Sequence, residues 1–136
     1  MKKILLIDDE IEVQAWISDF LRNNGMHVEA YANGAQAGKK LREEKFDLII
    51  TDLNMPEEDG VSVIFKVKNV LRENRKTPII VITGTVPDES TRLLMSDLKK
   101  LEIEVLNKPF TPEELLESVC AAFGISASEV GDLLPD

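Results

Sequence analysis

Hydrophobic positions along the chain gather into short runs separated by longer amphipathic stretches. Ile4–Ile7, Phe46–Thr51 and Pro78–Thr83 are rich in Ile, Leu and Val without polar alternation, as expected of parallel strands covered on both faces. His27-Val28-Glu29-Ala30-Tyr31 alternates and is more polar, so its run, Val28–Tyr31, suits a sheet edge, and Glu104–Lys108 completes a set of five. Between the runs, Val13, Trp16, Ile17 and Phe20 recur at i, i+3, i+4 and i+7 and predict a first helix with Trp16 in its core stripe. Ala37 and Leu41 mark a weaker second helix over Ala35–Glu44. Ile64, Val67 and Leu71, flanked by Val63 and Val70, predict a third. Leu94, Leu98 and Leu101 predict a fourth, and Leu116, Val119, Cys120 and Phe123 a fifth.

The boundaries agree. Thr111-Pro112-Glu113-Glu114 combines an N-cap Thr, Pro at the first helical position and Glu two residues later, a capping box. Gly25 and Gly124 follow the first and fifth helices, where a left-handed cap is least costly for glycine. A strand–helix unit repeated five times implies right-handed crossovers and a doubly wound α/β fold, a parallel sheet with helices on both faces. Residues 1–123 form the expected domain. The acidic tail, 124–136, contains Ile125, Val130, Leu133 and Leu134. Fraying is its default, with a helical turn or docking on a partner as the alternative.

Composition narrows the function. The 136 residues carry 16 Lys+Arg against 25 Asp+Glu, a net charge of −9, which repels a nucleic-acid backbone. The basic residues Lys66, Lys68, Arg72, Arg75 and Lys76 are too sparse to reverse that and suit the wet side of the third helix. One cysteine, Cys120, excludes an internal disulfide and a cysteine-rich metal site, and reads as a core residue in a reducing cytoplasm. The single histidine, His27, has no second imidazole for a metal site. No apolar run approaches membrane-spanning length, and Asp8-Asp9-Glu10 interrupts the signal-peptide-like start.

In an open parallel sheet, ligands bind beyond the carboxyl ends of the strands. The first predicted strand ends in Asp8-Asp9-Glu10, the third in Asp52, the fourth in Thr83-Gly84 and the fifth in Lys108-Pro109. Acids, a hydroxyl and an ammonium thus converge on one rim. Clustered carboxylates repel unless a cation joins them. Mg²⁺ suits the set, because it takes one or two carboxylates and leaves positions for phosphate oxygens. An Asp beside such an ion, faced by Thr and Lys, has the parts of a phosphoryl acceptor.

Asp8-Asp9, Asp52-Leu53-Asn54-Met55-Pro56 with Asp59-Gly60, Thr83-Gly84 and Lys108-Pro109-Phe110 together resemble the signature set of response-regulator receiver domains, over about residues 1–123. The resemblance implies a flavodoxin-like five-stranded sheet of order 2-1-3-4-5. It implies Asp52 as phospho-acceptor, and Asp9, Asp52 and the Asn54 carbonyl as Mg²⁺ ligands with Asp8 in support. Thr83 and Lys108 would bind phosphoryl oxygens, and the Lys108–Pro109 bond would be cis. A histidine kinase or histidine phosphotransfer protein would donate the phosphoryl group, and a downstream protein would read the result. Receivers are not enzymes acting on an independent substrate. With no DNA-binding or catalytic segment after Gly124, output is expected from another chain, by protein contact or, alternatively, as a phosphorelay intermediate or phosphate sink, unless this is an excised domain.

Two other classes share parts of this residue set. A Mg²⁺-dependent phosphatase of the haloacid-dehalogenase type also uses a strand-end Asp, but needs a second acid where this chain has Asn54. A flavodoxin-like cofactor carrier would need a phosphate-binding loop where Asp8-Asp9 stands. One position departs from the receiver pattern: Val105 replaces the usual aromatic or His three residues before Lys108. Valine is stiff at χ1 and is expected to be passive filler, leaving the response to the segment Val86–Glu102.

Overall fold

The computed structural model describes residues 1–53, 60–69, 72–84, 89–101 and 103–126. Strands and helices alternate as β1 (Lys3–Ile7), α1 (Ile11–Asn23), β2 (His27–Tyr31), α2 (Gly34–Glu43), β3 (Leu48–Asp52) and α3 (Gly60–Asn69). After a 3₁₀ turn at Arg72–Asn74 come β4 (Ile79–Thr83), α4 (Glu89–Lys100), β5 (Glu104–Asn107) and α5 (Pro112–Phe123). The strands form one parallel sheet in the order β2-β1-β3-β4-β5, the expected flavodoxin-like arrangement.

The uninterrupted apolar runs fill the middle of this sheet because both of its faces are covered. All of β3 and β4 is buried, as are four of the five residues of β1, whereas β2 and β5 form the more exposed edges. Alternate residues divide between two cores. Leu5, Ile7, Ile49 and Val81 pack with Ala37 and Leu41 of α2, Val63, Ile64 and Val67 of α3, and Leu98 of α4. Ile4, Leu6, Ile50, Ile80 and Ile82 pack with Ile17 and Leu21 of α1 and Leu115 and Val119 of α5. The chain passes from β2 on one side of β1 to β3 on the other, so the carboxyl ends of β1 and β3 open the crevice at this switch point.

The caps behave as their residues require. The Thr111 hydroxyl accepts from the Glu114 N–H at 3.1 Å, and Gly124 closes α5 in the left-handed region at φ 72°. Asn33 accepts from the Gln36 N–H at 2.9 Å, which starts α2 despite its thin apolar stripe. Below the sheet, the fully buried Asn74 ties three segments together. Its amide donates to the carbonyls of Leu41 (2.7 Å) and Glu44 (2.8 Å), and its oxygen accepts from the Phe46 N–H (2.8 Å).

Several expectations need correction. Leu101 follows the last turn of α4 and is 56% exposed, so Leu98 and Ile103 do the packing there. Trp16 is only half-buried and lies at the margin, 5.5 Å from the Phe110 ring. In α5 Val119 and Cys120 are buried as expected, joined by Leu115, while Leu116 and Phe123 are only half-buried. The expectations for Val70, Leu71, the start of the Val86–Glu102 segment and the tail beyond Ser126 fall outside the described residues, as does the Leu94 side chain.

Candidate functional site

β1 delivers Asp8 to the crevice and β3 delivers Asp52, because each acid follows an apolar run that the sheet holds in register (Ile7 beside Thr51). Lys108 follows β5, its backbone N–H donating to the Thr83 carbonyl at 2.8 Å. That bond continues the β4–β5 ladder by one residue and aims the side chain back over the rim. The Lys108–Pro109 peptide is cis, as the resemblance implied.

The Lys108 ammonium lies 3.0 Å from the Glu10 carboxylate, 3.2 Å from Asp52 Oδ2 and 4.0 Å from Asp8 Oδ2. Oxygens of Asp8, Glu10 and Asp52 all fall within 4.8 Å of one another. The Asp8 side chain is inaccessible to solvent. Its Oδ1 accepts from the Glu10 N–H at 2.9 Å, and its Oδ2 accepts no hydrogen bond. Burial pushes the Asp8 carboxyl up from 3.8 to about 6, the Glu10 N–H pulls it down, and the Asp52 charge pushes it up again. Burial works to lower the Lys108 pKa, but the hydrogen bond to Glu10 and the charges of Asp52 and Asp8 together hold it above its ordinary value.

Asp9, expected as a direct ligand, is half-buried and is not one of the three clustered acids among the described residues. Glu10 takes the third place. Three consecutive acids do not reveal which carboxylate reaches the cluster, and only the contact with Lys108 and the proximity to Asp8 and Asp52 identify Glu10. Thr83 is buried at the end of β4, beside Asn107 of β5. Asn54 and Asp59 lie outside the described residues. Next to the site, Val13, Trp16, Gly84, Pro109 and Phe110 line a shallow groove of about 440 Å³ that Lys108 borders.

An orphaned buried carboxylate oxygen, two further carboxylates and oxygen-only donors fit a hard divalent cation such as Mg²⁺. A cation there would offset the burial that chiefly raises the Asp8 pKa and the repulsion from Asp52 that adds to it.

Residues 4–120 match the family model described as the response regulator receiver domain. Among curated proteins, the chain is 32% identical over 124 residues to the response regulator receiver protein CpdR of Brucella abortus, covering 88% of this chain and 94% of that one. Among solved structures, the chemotaxis protein CheY4 of Vibrio cholerae superposes with a TM-score of 0.79 at 32% identity, over 90% of this chain and 98% of that one. The receiver domain of a sensor histidine kinase from Pseudomonas aeruginosa, with a magnesium ion coordinated in its active-site cleft, superposes with a TM-score of 0.78 at 27% identity, over 90% and 98% of the two chains. No helix among the described residues is long and apolar enough to cross a membrane.

Proposed function

The chain belongs to the response-regulator receiver family of two-component signalling, and on that premise we propose that Asp52 accepts a phosphoryl group from a phosphohistidine of a kinase or phosphotransfer protein. The observation that carries this reading is the Asp52 carboxylate at the end of a fully buried strand, 3.2 Å from the Lys108 ammonium and within reach of the orphaned Asp8 oxygen. The resemblance assigns Mg²⁺ to Asp9, Asp52 and the Asn54 carbonyl with Asp8 supporting; Asp8 and Asp52 already stand together, and Asp9 would have to turn toward them to join as a ligand. When bound, Mg²⁺ neutralises charge on the phosphoryl oxygens.

An Asp52 oxygen attacks phosphorus as the P–N bond breaks, and the electron pair leaves on the donor's imidazole nitrogen. Lys108 pairs with the phosphoryl oxygens and Thr83 donates its hydroxyl to them, stabilising charge spread over the transferring group. Water later attacks phosphorus, and the Asp52 oxygen departs as carboxylate. The protein thus catalyses only its own phosphorylation and hydrolysis. The phosphorylated state shifts a conformational equilibrium that a downstream protein reads. The scheme involves no direct nucleic-acid contact and no membrane insertion, and the proposed location is the cytoplasm, where the kinase's phosphohistidine would be met.

The test is transfer from a panel of purified, labelled histidine kinases with Mg²⁺ present. At least one kinase should pass its label to the wild type and not to Asp52→Asn. Label reaching both proteins equally would remove Asp52 from the role.

A further inference from the structure

Glu10 is the residue of the site for which the scheme above has no task. It stands at the N-cap of α1, and its side chain makes no capping hydrogen bond, so the carboxylate is not committed to the helix. Its carboxylate turns instead to Lys108, at 3.0 Å, closer than Asp52 at 3.2 Å. The side chain is 59% exposed, whereas those of Asp8 and Asp52 are 0% and 5% exposed. The buried pair already gives the ammonium a partner at the rim, Asp52 at 3.2 Å. Glu10 therefore adds a second anchor on the solvent side, where an incoming phosphoryl group must approach.

We propose that Glu10 is a positioning residue acting through Lys108, a competing anchor whose hold the ammonium must leave before it closes on the phosphoryl group. The inference rests on the phospho-acceptor role of Asp52. An exposed ion pair is a weak interaction, so Glu10 moderates the rate of phosphorylation without blocking it. Substitution by glutamine keeps the shape and removes the charge that holds Lys108. Because Glu10 is exposed and makes no cap, the change spares the fold.

The experiment measures phosphorylation by acetyl phosphate at saturating Mg²⁺ in wild type, Glu10→Gln, Lys108→Gln and the double variant, with circular dichroism verifying the fold of each. Glu10→Gln should raise the apparent second-order rate constant about two- to fivefold, the range set by an exposed ion pair. In the Lys108→Gln background the same substitution should change nothing, the signature of two residues acting through one contact. If the Lys108→Gln proteins label too slowly to measure, the same cycle is read as beryllofluoride affinity from Trp16 fluorescence, with the same pattern expected. An unchanged or lower rate in Glu10→Gln overturns the proposal. A gain that persists without Lys108 also overturns it, because Glu10 would then act on the donor by charge alone. A wild type that takes no label, or an Asp52→Asn variant that labels equally, defeats the phospho-acceptor reading and this inference with it. Normal wild-type labelling with no gain in Glu10→Gln defeats the inference only.

Discussion

Replacing Asp8 with asparagine should stabilise the protein at pH 8 in the absence of divalent cations. The Asp8 side chain is inaccessible and leaves one oxygen unbonded, and its carboxyl is pushed up from 3.8 to about 6, chiefly by burial. At about 1.4 kcal/mol per pKa unit the ceiling on this penalty is about 3 kcal/mol. That shift already includes the attraction of Lys108, and relaxation of the site around the charge reduces the penalty to about 1–2 kcal/mol. The sign follows from proton binding. Between 3.8 and about 6 the folded protein holds a proton at Asp8 that the unfolded chain releases, so this contribution to stability is complete below 3.8 and lost as pH rises through about 6. Asparagine keeps the oxygen that accepts from the Glu10 N–H and has no charge to bury. Urea unfolding of both proteins in EDTA at pH 5 and pH 8 measures the difference. The advantage of the variant should be about 1–2 kcal/mol at pH 8 and about half that at pH 5, which lies about midway between 3.8 and about 6. Equal stability at both pH values, or a less stable variant at pH 8, would refute the assignment of Asp8 as a strained buried charge.

Added Mg²⁺ at a hundred times its Kd should stabilise the wild type by about 2.7 kcal/mol, read as a rise in melting temperature, and should raise it less in Asp9→Ala. Equal shifts in both proteins would contradict the proposed ligand set. Asn74→Ala strips a buried N–H and two carbonyls of their partner and should cost about 3 kcal/mol in urea unfolding. A loss below about 1 kcal/mol would mean that water replaces the amide. Val105 packs half-buried against the core on the α2–α4 side of the sheet, so Val105→Ala should leave beryllofluoride-induced amide shifts in α4 in place. Their loss would make Val105 an active coupler.

The strands were legible because the middle of this sheet is buried on both faces, and runs such as Ile79-Ile80-Val81-Ile82 carry that burial directly. Strand ends then located Asp8, Asp52, Thr83 and Lys108 without any knowledge of side-chain reach. Periodicity was less informative where helices meet the edge of the sheet. Leu101 fits the α4 stripe by spacing but follows the helix's last turn. Trp16 fits the α1 stripe but is only half-buried, against Phe110. Asn74 carries no sequence signal, since a polar residue after a helix reads as a turn, and its burial depends on Leu41, Glu44 and Phe46 meeting below the sheet. Glu10 was hidden for a related reason. Its partner Lys108 is 98 residues away, and no local pattern distinguishes it from Asp9.

The central claim is that Asp52 is the phospho-acceptor, and chemical mapping tests it most directly. The protein is incubated with Mg²⁺ and acetyl phosphate, the acyl phosphate is trapped by borohydride reduction, and the modified peptide is sequenced by mass spectrometry. The modification should fall on Asp52, require Mg²⁺ and vanish in Asp52→Asn. A label of unchanged yield in Asp52→Asn, or one mapped to Asp8, Asp9 or Glu10 in the wild type, would contradict the account.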